Sequence, residues 1–352
     1  MIGNVRLKYL CIIGFISIIT ISVTFLILPR LFNNNMPKDR IIYTNQEAVN
    51  SDCCCDETPA SEENITVEDE KLIVFKGCSI IRRAFMTAAA NAYQKKTGIE
   101  VKVIGGGATL GIRATAANDS DIGGSCRPPL PDRFEQEKGV KMVHVGWDSL
   151  VYITHPSNPV NNISLKDVKK ILIGEITNWK QLGGEDKKIV LIFRSQVPEH
   201  GGKVSGVGYT TRKMIFNDPE KNYTDKALFF KHSSEIEEYI EKLENSFAVT
   251  GYSSANKRKV KILNLNGYQP TKENIVSAKY PLFRPLYIII REKPSPKVQE
   301  FIDWLLSDEG QKVVSDEGTV NLKEGKTLVD KFKFWQYTDL IINYKQEQKI
   351  EN

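Results

Sequence analysis

Ser79 and two glycine-and-hydroxyl stretches carry the residue types and spacing with the most chemistry in this chain. The stretches are Gly105-Gly106-Gly107-Ala108-Thr109-Leu110-Gly111 and Asp121-Ile122-Gly123-Gly124-Ser125-Cys126-Arg127. Each follows a short apolar run, and two of the three turns precede a helical pattern. Ser79 is placed at the N-cap of the first helix, where free N–H groups and the helix dipole attract an anion. Glycine lets backbone N–H groups approach a ligand closely. Thr109 and Ser125 can add hydroxyl donors, and Arg127 or Arg194 a bidentate fork for an oxyanion. No nucleophile stands beside a base, so the chemistry is capture of a small anion and not turnover. The plainer alternative is that glycine-rich turns only turn corners and that Ser79 only caps a helix. For one turn that alternative is the stronger; three such turns within residues 79–127 favour anion capture.

Cofactor motifs fail by inspection. No Gly-Lys-Ser/Thr follows Gly107, and Gly105 to Leu110 is not G-x-G-x-x-G, so neither a P-loop nor a dinucleotide fingerprint is present. His144, His155, His200 and His232 form no i, i+4 pair, which argues against a mononuclear metal site. No cofactor is implied.

The elements that position these turns follow a βαβ rhythm. Lys71-Leu72-Ile73-Val74-Phe75 predicts a strand, Gly77-Cys78-Ser79 a turn, and Ile80 to Lys96 a helix with Ile81, Phe85, Ala88, Ala92 and Tyr93 on one face. Gly98 closes it. Val101–Ile104 is the next strand, a helix runs from Leu110 to about Ala117, and a short strand surrounds Ile122. Alternating strands and helices imply an α/β fold with a largely parallel sheet, whose ligands sit beyond the carboxyl ends of the strands. Leu150–Thr154 and Pro285–Ile290 are strong β runs suited to paired crossover strands, and Phe301, Ile302, Leu305 and Leu306 form one face of a late helix. Trp147, Trp179, Trp304 and Trp335 are read as core or hinge packing.

At 352 residues, two lobes are the natural expectation; 41% apolar and 26% charged residues suit a globular body. The net charge of +5 comes from scattered basic residues with no stripe, which argues against nucleic acid as a partner. Tyr9 to Leu28 is twenty uncharged, mostly apolar residues, long enough to span a bilayer. No small-x-small cleavage site follows, so an uncleaved membrane anchor over residues 1–30 is favoured over a cleaved signal. Residues 31–70 read as a polar, acidic tether that cannot bury enough surface to order itself. It holds Cys53-Cys54-Cys55, read either as exposed thiols available for intermolecular disulfides or as metal or redox ligands shared with another chain. Lys331 to Asn352 begins amphipathic and turns polar, as a docking helix or a partner-binding tail would.

The chain resembles the periplasmic phosphate-binding proteins, the solute receptors of phosphate ABC transporters. The likeness runs from about Leu72 to Gly318. It is carried by Gly105–Arg113, Asp121–Arg127, Gly174-Glu175-Ile176-Thr177-Asn178-Trp179, Tyr280–Tyr287 and Phe301–Gly310, in the family's order and spacing. The resemblance implies an α/β, two-lobed clamshell fold with two mixed, largely parallel sheets, here preceded by a transmembrane helix. Lobe one would comprise residues 71–150 and 275–345 and lobe two residues 151–274, with crossings near Gly146–Thr154 and Ile275–Leu286. It implies an extracytoplasmic, membrane-tethered protein, not an enzyme, that captures inorganic phosphate or a related oxyanion for ABC transporter permease subunits. An oxyanion sensor or scaffold that keeps the fold without transport is the alternative.

Matched position by position, the ligand set would be Ser79, Ile80, Gly107, Ala108, Thr109, Ser125, Cys126, Arg127, Arg194, Ser205, Gly206 and Val207. Three positions depart from the family. Ala108 stands where a serine is usual, Val207 lacks a hydroxyl that Thr210 or Thr211 could replace, and the loop after Arg194 is stretched. Cys126 occupies a place where the family often has Asp or Ser, and a thiol is a weak donor and poor acceptor. Cys78 falls in the same predicted cleft, leaving two arrangements open: a Cys78–Cys126 disulfide outside the cytoplasm, or two small buried thiols.

Overall fold

The computed structural model describes residues 71–194, 204–230, 233–333 and 341–342. The predicted anchor, the tether with Cys53, Cys54 and Cys55, Trp335 and most of the tail lie outside them. Among the described residues no helix is long and apolar enough to cross a membrane.

Strand β1 (Leu72–Cys78) lies between two parallel neighbours, β2 (Glu100–Gly106) and β3 (Ile122–Ser125), with Phe75 opposite Val103 on one side and Ile122 on the other. Ile73, Val74 and Phe75 are all buried, the pattern of a strand covered on both faces. Next come β4 (Val140–Thr154) and, much later in the chain, β11 (Phe283–Arg291); β11 pairs antiparallel with β3 on one edge and with β4 on the other. A second lobe is built on β6 (Val190–Arg194), β7 (Leu228–Phe230) and β8 (Ser246–Gly251), with β6 parallel to both neighbours and β8 antiparallel to the end of β4. Short strands finish the pattern. β9 (Lys261–Ile262), β12 (Val320–Asn321) and β13 (Ile341–Ile342) add to β4, while β5 (Asn162–Ile163) pairs with β10 (Asn264–Leu265).

The architecture is thus α/β and two-lobed with mixed strand directions, and one feature corrects the sequence reading. The two sheets are not separate, because β4 threads both: Val140–Ser149 belongs to the first and Leu150–Thr154 to the second. The predicted crossover strand at Leu150–Thr154 is therefore the end of a longer strand, and its partner is β8, not β11.

Two local departures have physical causes. The first helix begins at Ser79 and runs to Thr97, but Arg82–Met86 is a π-helical segment within it. The wider turn rotates the buried face, so Met86, Ala89 and Ala90 are enclosed while Ala88 and Ala92 are half-buried. Gly98 caps the helix in the left-handed region at φ 77° and donates to the Gln94 carbonyl. The second helix starts at Ala108, two residues before the predicted start.

The glycines have a packing role. A Cβ on Gly111 would stand 2.4 Å from the Gly124 carbonyl oxygen, and one on Gly123 2.1 Å from the Gly111 carbonyl oxygen. Only bare backbone lets helix Ala108–Ala116 lie this close to β3.

Candidate anion-binding site

The lobe-one turns and the start of helix Gly206–Phe216 in lobe two meet face to face. A Cβ on Gly206 would lie 2.6 Å from Cys126 Sγ and 3.1 Å from Ala108 Cβ. Thr109 Oγ1 donates to the Val204 carbonyl (3.0 Å) and accepts from the Val204 N–H (2.9 Å). Thr210 Oγ1 donates to the Cys126 carbonyl (3.1 Å) as well as to Gly206 in its own helix. Arg133 of lobe one pairs with Glu220 of lobe two. The lobes are closed on one another at this point.

Most of the predicted residues converge here, but several do other work than expected. Ser79 is not the N-cap; Cys78 holds that place, and the Ser79 hydroxyl donates to the Gly106 carbonyl at the end of β2. Ser125 Oγ closes its own turn, donating to the Arg127 carbonyl and accepting the Arg127 N–H. Val207 is buried, and Thr211 Oγ1 bonds back to the Val207 carbonyl, so its hydroxyl does not replace the missing one. Ser205 is the N-cap of helix Gly206–Phe216, accepting from the Gly208 N–H. Arg194 ends β6, and its Nη2 is 3.9 Å from where a Gly107 side chain would begin. It reaches across to the lobe-one turn.

Arg127 is enclosed completely. Its guanidinium forks onto both Glu137 carboxylate oxygens at 2.8 Å. Its remaining N–H groups meet the Pro128 carbonyl, Thr109 Oγ1 and the Val204 carbonyl. All five donors of an arginine are thereby engaged, which corrects Arg127 as the fork for a ligand in this conformation.

Cys78 and Cys126 are buried free thiols in this structure, with Sγ atoms 3.5 Å apart. The hydrogen bond from Cys126 lowers the Cys78 thiol to about 6 against the opposing effect of burial, and the Arg284 charge assists. The same hydrogen bond, with burial, pushes Cys126 up.

Sequence reasoning passed over Arg284 and Asp148, which face each other in the β4–β11 register and are fully enclosed. Arg284 Nη2 donates to Asp148 Oδ2 (3.1 Å), and Asp148 Oδ1 accepts from the N–H and Oγ of Ser253 at the start of helix Tyr252–Ala255. Arg284 Nε and Nη1 have no hydrogen-bond partner among the described residues. A Cβ on Gly251 would collide with Asp148 Oδ2 (2.5 Å), Ile80 Cγ2 (2.8 Å) and Arg284 Nη2 (3.0 Å), so this pair sits where both lobes meet beside the Ser79 turn. The overlooked signal was a charge just before each of two apolar strand runs, Asp148 before Leu150–Thr154 and Arg284 before Pro285–Ile290, since a buried charge must be paired. Among the described residues, no group of three or more His, Cys, Asp or Glu could hold a metal.

Comparison with known proteins places the chain in a family. Residues 82–309 match the PBP superfamily domain. The chain is 32% identical over 222 residues to the phosphate-binding protein PstS of Borreliella burgdorferi, covering 62% of this chain and 78% of that protein. It is 24% identical over 271 residues to the phosphate-binding protein PstS of Bacillus subtilis, covering 73% and 83%. A solved structure from Clostridium perfringens, described as a phosphate ABC transporter substrate-binding protein with bound phosphate, superposes with a TM-score of 0.64 at 26% identity, covering 71% of this chain and 99% of that one. The chain belongs to the PBP superfamily and, within it, to the phosphate-binding proteins.

Proposed function

We propose that this protein captures inorganic phosphate outside the cytoplasm and delivers it to the permease subunits of an ABC transporter. The observation that carries the reading is the juxtaposition of a helix N-terminus, Ser205-Gly206, with Arg194 and the lobe-one turn at Gly107-Ala108-Thr109. A helix N-terminus presents unbonded N–H groups and a partial positive charge, and an arginine adds charge-assisted donors, the combination that suits a small oxyanion. Closure of two lobes over it replaces the anion's hydration shell by fixed donors. Residues 9–28 supply the membrane anchor and residues 31–70 the tether, with lobe one at 71–150 and 275–345 and lobe two at 151–274. Ser79, Ile80, Ser125 and Cys126 line the lobe-one side.

Isothermal titration of the full chain with phosphate, arsenate, sulfate and molybdate tests the reading. Phosphate and arsenate are expected to bind at micromolar concentration or below, and sulfate at least about tenfold more weakly, a difference of about 1.4 kcal/mol. Failure of every oxyanion to bind overturns it.

A further inference from the structure

We propose that Cys78 and Cys126 form a chelating dithiol for a trivalent, thiophilic oxyacid of the arsenite type, at the floor of the same cleft. The proposal rests on the reading above, in that closure there admits a small oxyacid. Its own support is the geometry of the two sulfurs. Cys78 ends β1 and Cys126 directly follows β3, its neighbour in the sheet, and the two sulfurs are held 3.5 Å apart with no covalent bond between them. Cys126 Sγ also borders the start of the lobe-two helix, where a Gly206 Cβ would be 2.6 Å away. Cys126 therefore faces the seam that closes on a ligand, with the Cys78 sulfur in contact with it.

Separation selects the class of ligand. With bonds of about 2.3 Å, the length of a zinc–thiolate bond, one atom held by two sulfurs 3.5 Å apart subtends an angle of about 100°. That is the angle of a pyramidal trivalent centre. A linear two-coordinate cation would need its sulfurs about 4.6 Å apart at the same bond length. A tetrahedral zinc ion would need further protein ligands, and the described residues offer no group of three or more His, Cys, Asp or Glu. Phosphate and sulfate do not react with thiols at all, so the dithiol adds a ligand class that oxygen donors cannot reach.

The chemistry balances without an oxidant. Arsenous acid, As(OH)3, is neutral near pH 7. Two sulfur–arsenic bonds form and two arsenic–oxygen bonds break; the displaced hydroxides leave with the two thiol protons as two waters. Neither sulfur nor arsenic changes oxidation state. The attacking species is the thiolate, and the Arg284 guanidinium, fully buried and with Nε and Nη1 lacking partners among the described residues, places a positive charge beside both sulfurs. Because the sulfurs are already side by side, little ordering entropy opposes chelation.

The test uses the full chain with Cys11, Cys53, Cys54 and Cys55 changed to Ser, so that Cys78 and Cys126 are the only thiols. Titration with sodium arsenite should bind one arsenic per chain and protect both thiols from alkylation. Cys78→Ser or Cys126→Ser, each checked by circular dichroism, should weaken uptake at least about tenfold through loss of the chelate. If either variant fails to fold, protection of both thiols in the unsubstituted pair still decides. No arsenic uptake, uptake that survives Cys126→Ser, or a Cys78–Cys126 disulfide in the freshly purified protein overturns the proposal. Phosphate titration of the same protein separates the two readings. Phosphate binding without arsenic uptake overturns the dithiol site and leaves phosphate capture standing, and the reverse result does the opposite.

Discussion

Arg127 and Arg284 are both completely enclosed, both border the cleft, and each faces one buried carboxylate, Glu137 and Asp148 respectively. Their surroundings differ. Arg127 forks onto two oxygens of Glu137 and places its other N–H groups on two carbonyls and Thr109, while Glu137 also accepts the Leu130 N–H. Arg284 gives one hydrogen bond to Asp148 and keeps Nε and Nη1 without partners among the described residues. A buried ion pair repays its desolvation only with good geometry and its remaining groups satisfied. Arg127 meets that condition, so it fixes the third turn in place. Arg284 does not, and its charge, paired with Asp148 through one nitrogen, also acts on Cys78 and Cys126. The same pair of residue types serves rigidity in one place and electrostatic bias of the cleft in the other.

Breaking the first pair should have the largest effect. Glu137→Ala leaves Arg127 charged, buried and without its fork, and should cost about 3–5 kcal/mol in urea unfolding. Saturating phosphate should not restore the Arg127 pairing. A loss below about 1 kcal/mol would mean that water reaches the pair and that the contrast between the arginines is false.

A smaller effect is expected at Arg194, which lies at the end of β6 near Gly107 and outside both pairs. Arg194→Ala should weaken phosphate about 10- to 100-fold, the range of one or two charge-assisted hydrogen bonds, while unfolding shifts little. If affinity is unchanged and Arg127→Lys abolishes it instead, the ligand fork belongs to the buried arginine.

Much of the fold was legible because its signals are local. The βαβ rhythm from Leu72 to Ser125, the Gly98 cap and the apolar runs before and after the second lobe could be read from periodicity and turn residues, though not which strand each run pairs with. What escaped depends on distant partners. Nothing adjacent to Ser125 or Arg127 announces that a turn hydrogen bond and a carboxylate ten residues away would occupy them. The π-helical turn at Arg82–Met86 shifts a face that a regular period places elsewhere. Gly111 and Gly123 look like ligand-cradling glycines until the helix and strand that need them are brought into contact. The Asp148–Arg284 pair was visible only as two charges just before apolar runs, 136 positions apart.

The second pair is sharpened by a variant expected to change reactivity more than stability. Arg284→Met removes a positive charge that favours the thiolate form of Cys78, so the Cys78 thiol should rise from its lowered position near 6. Alkylation by iodoacetamide at pH 7, followed as a rate against pH, should then slow, and the midpoint should move upward. The hydrogen bond from Cys126 is the larger cause of the lowering and stays in place, so the midpoint should remain below the ordinary thiol value of 9.0. Asp148→Asn should act in the opposite sense, because it removes a negative charge that works against thiolate at Cys126. Parallel shifts in both variants would mean that the thiols respond to loosened packing and not to charge. Opposite shifts would tie the dithiol to the incompletely bonded arginine, which is the distinction between Arg284 and Arg127.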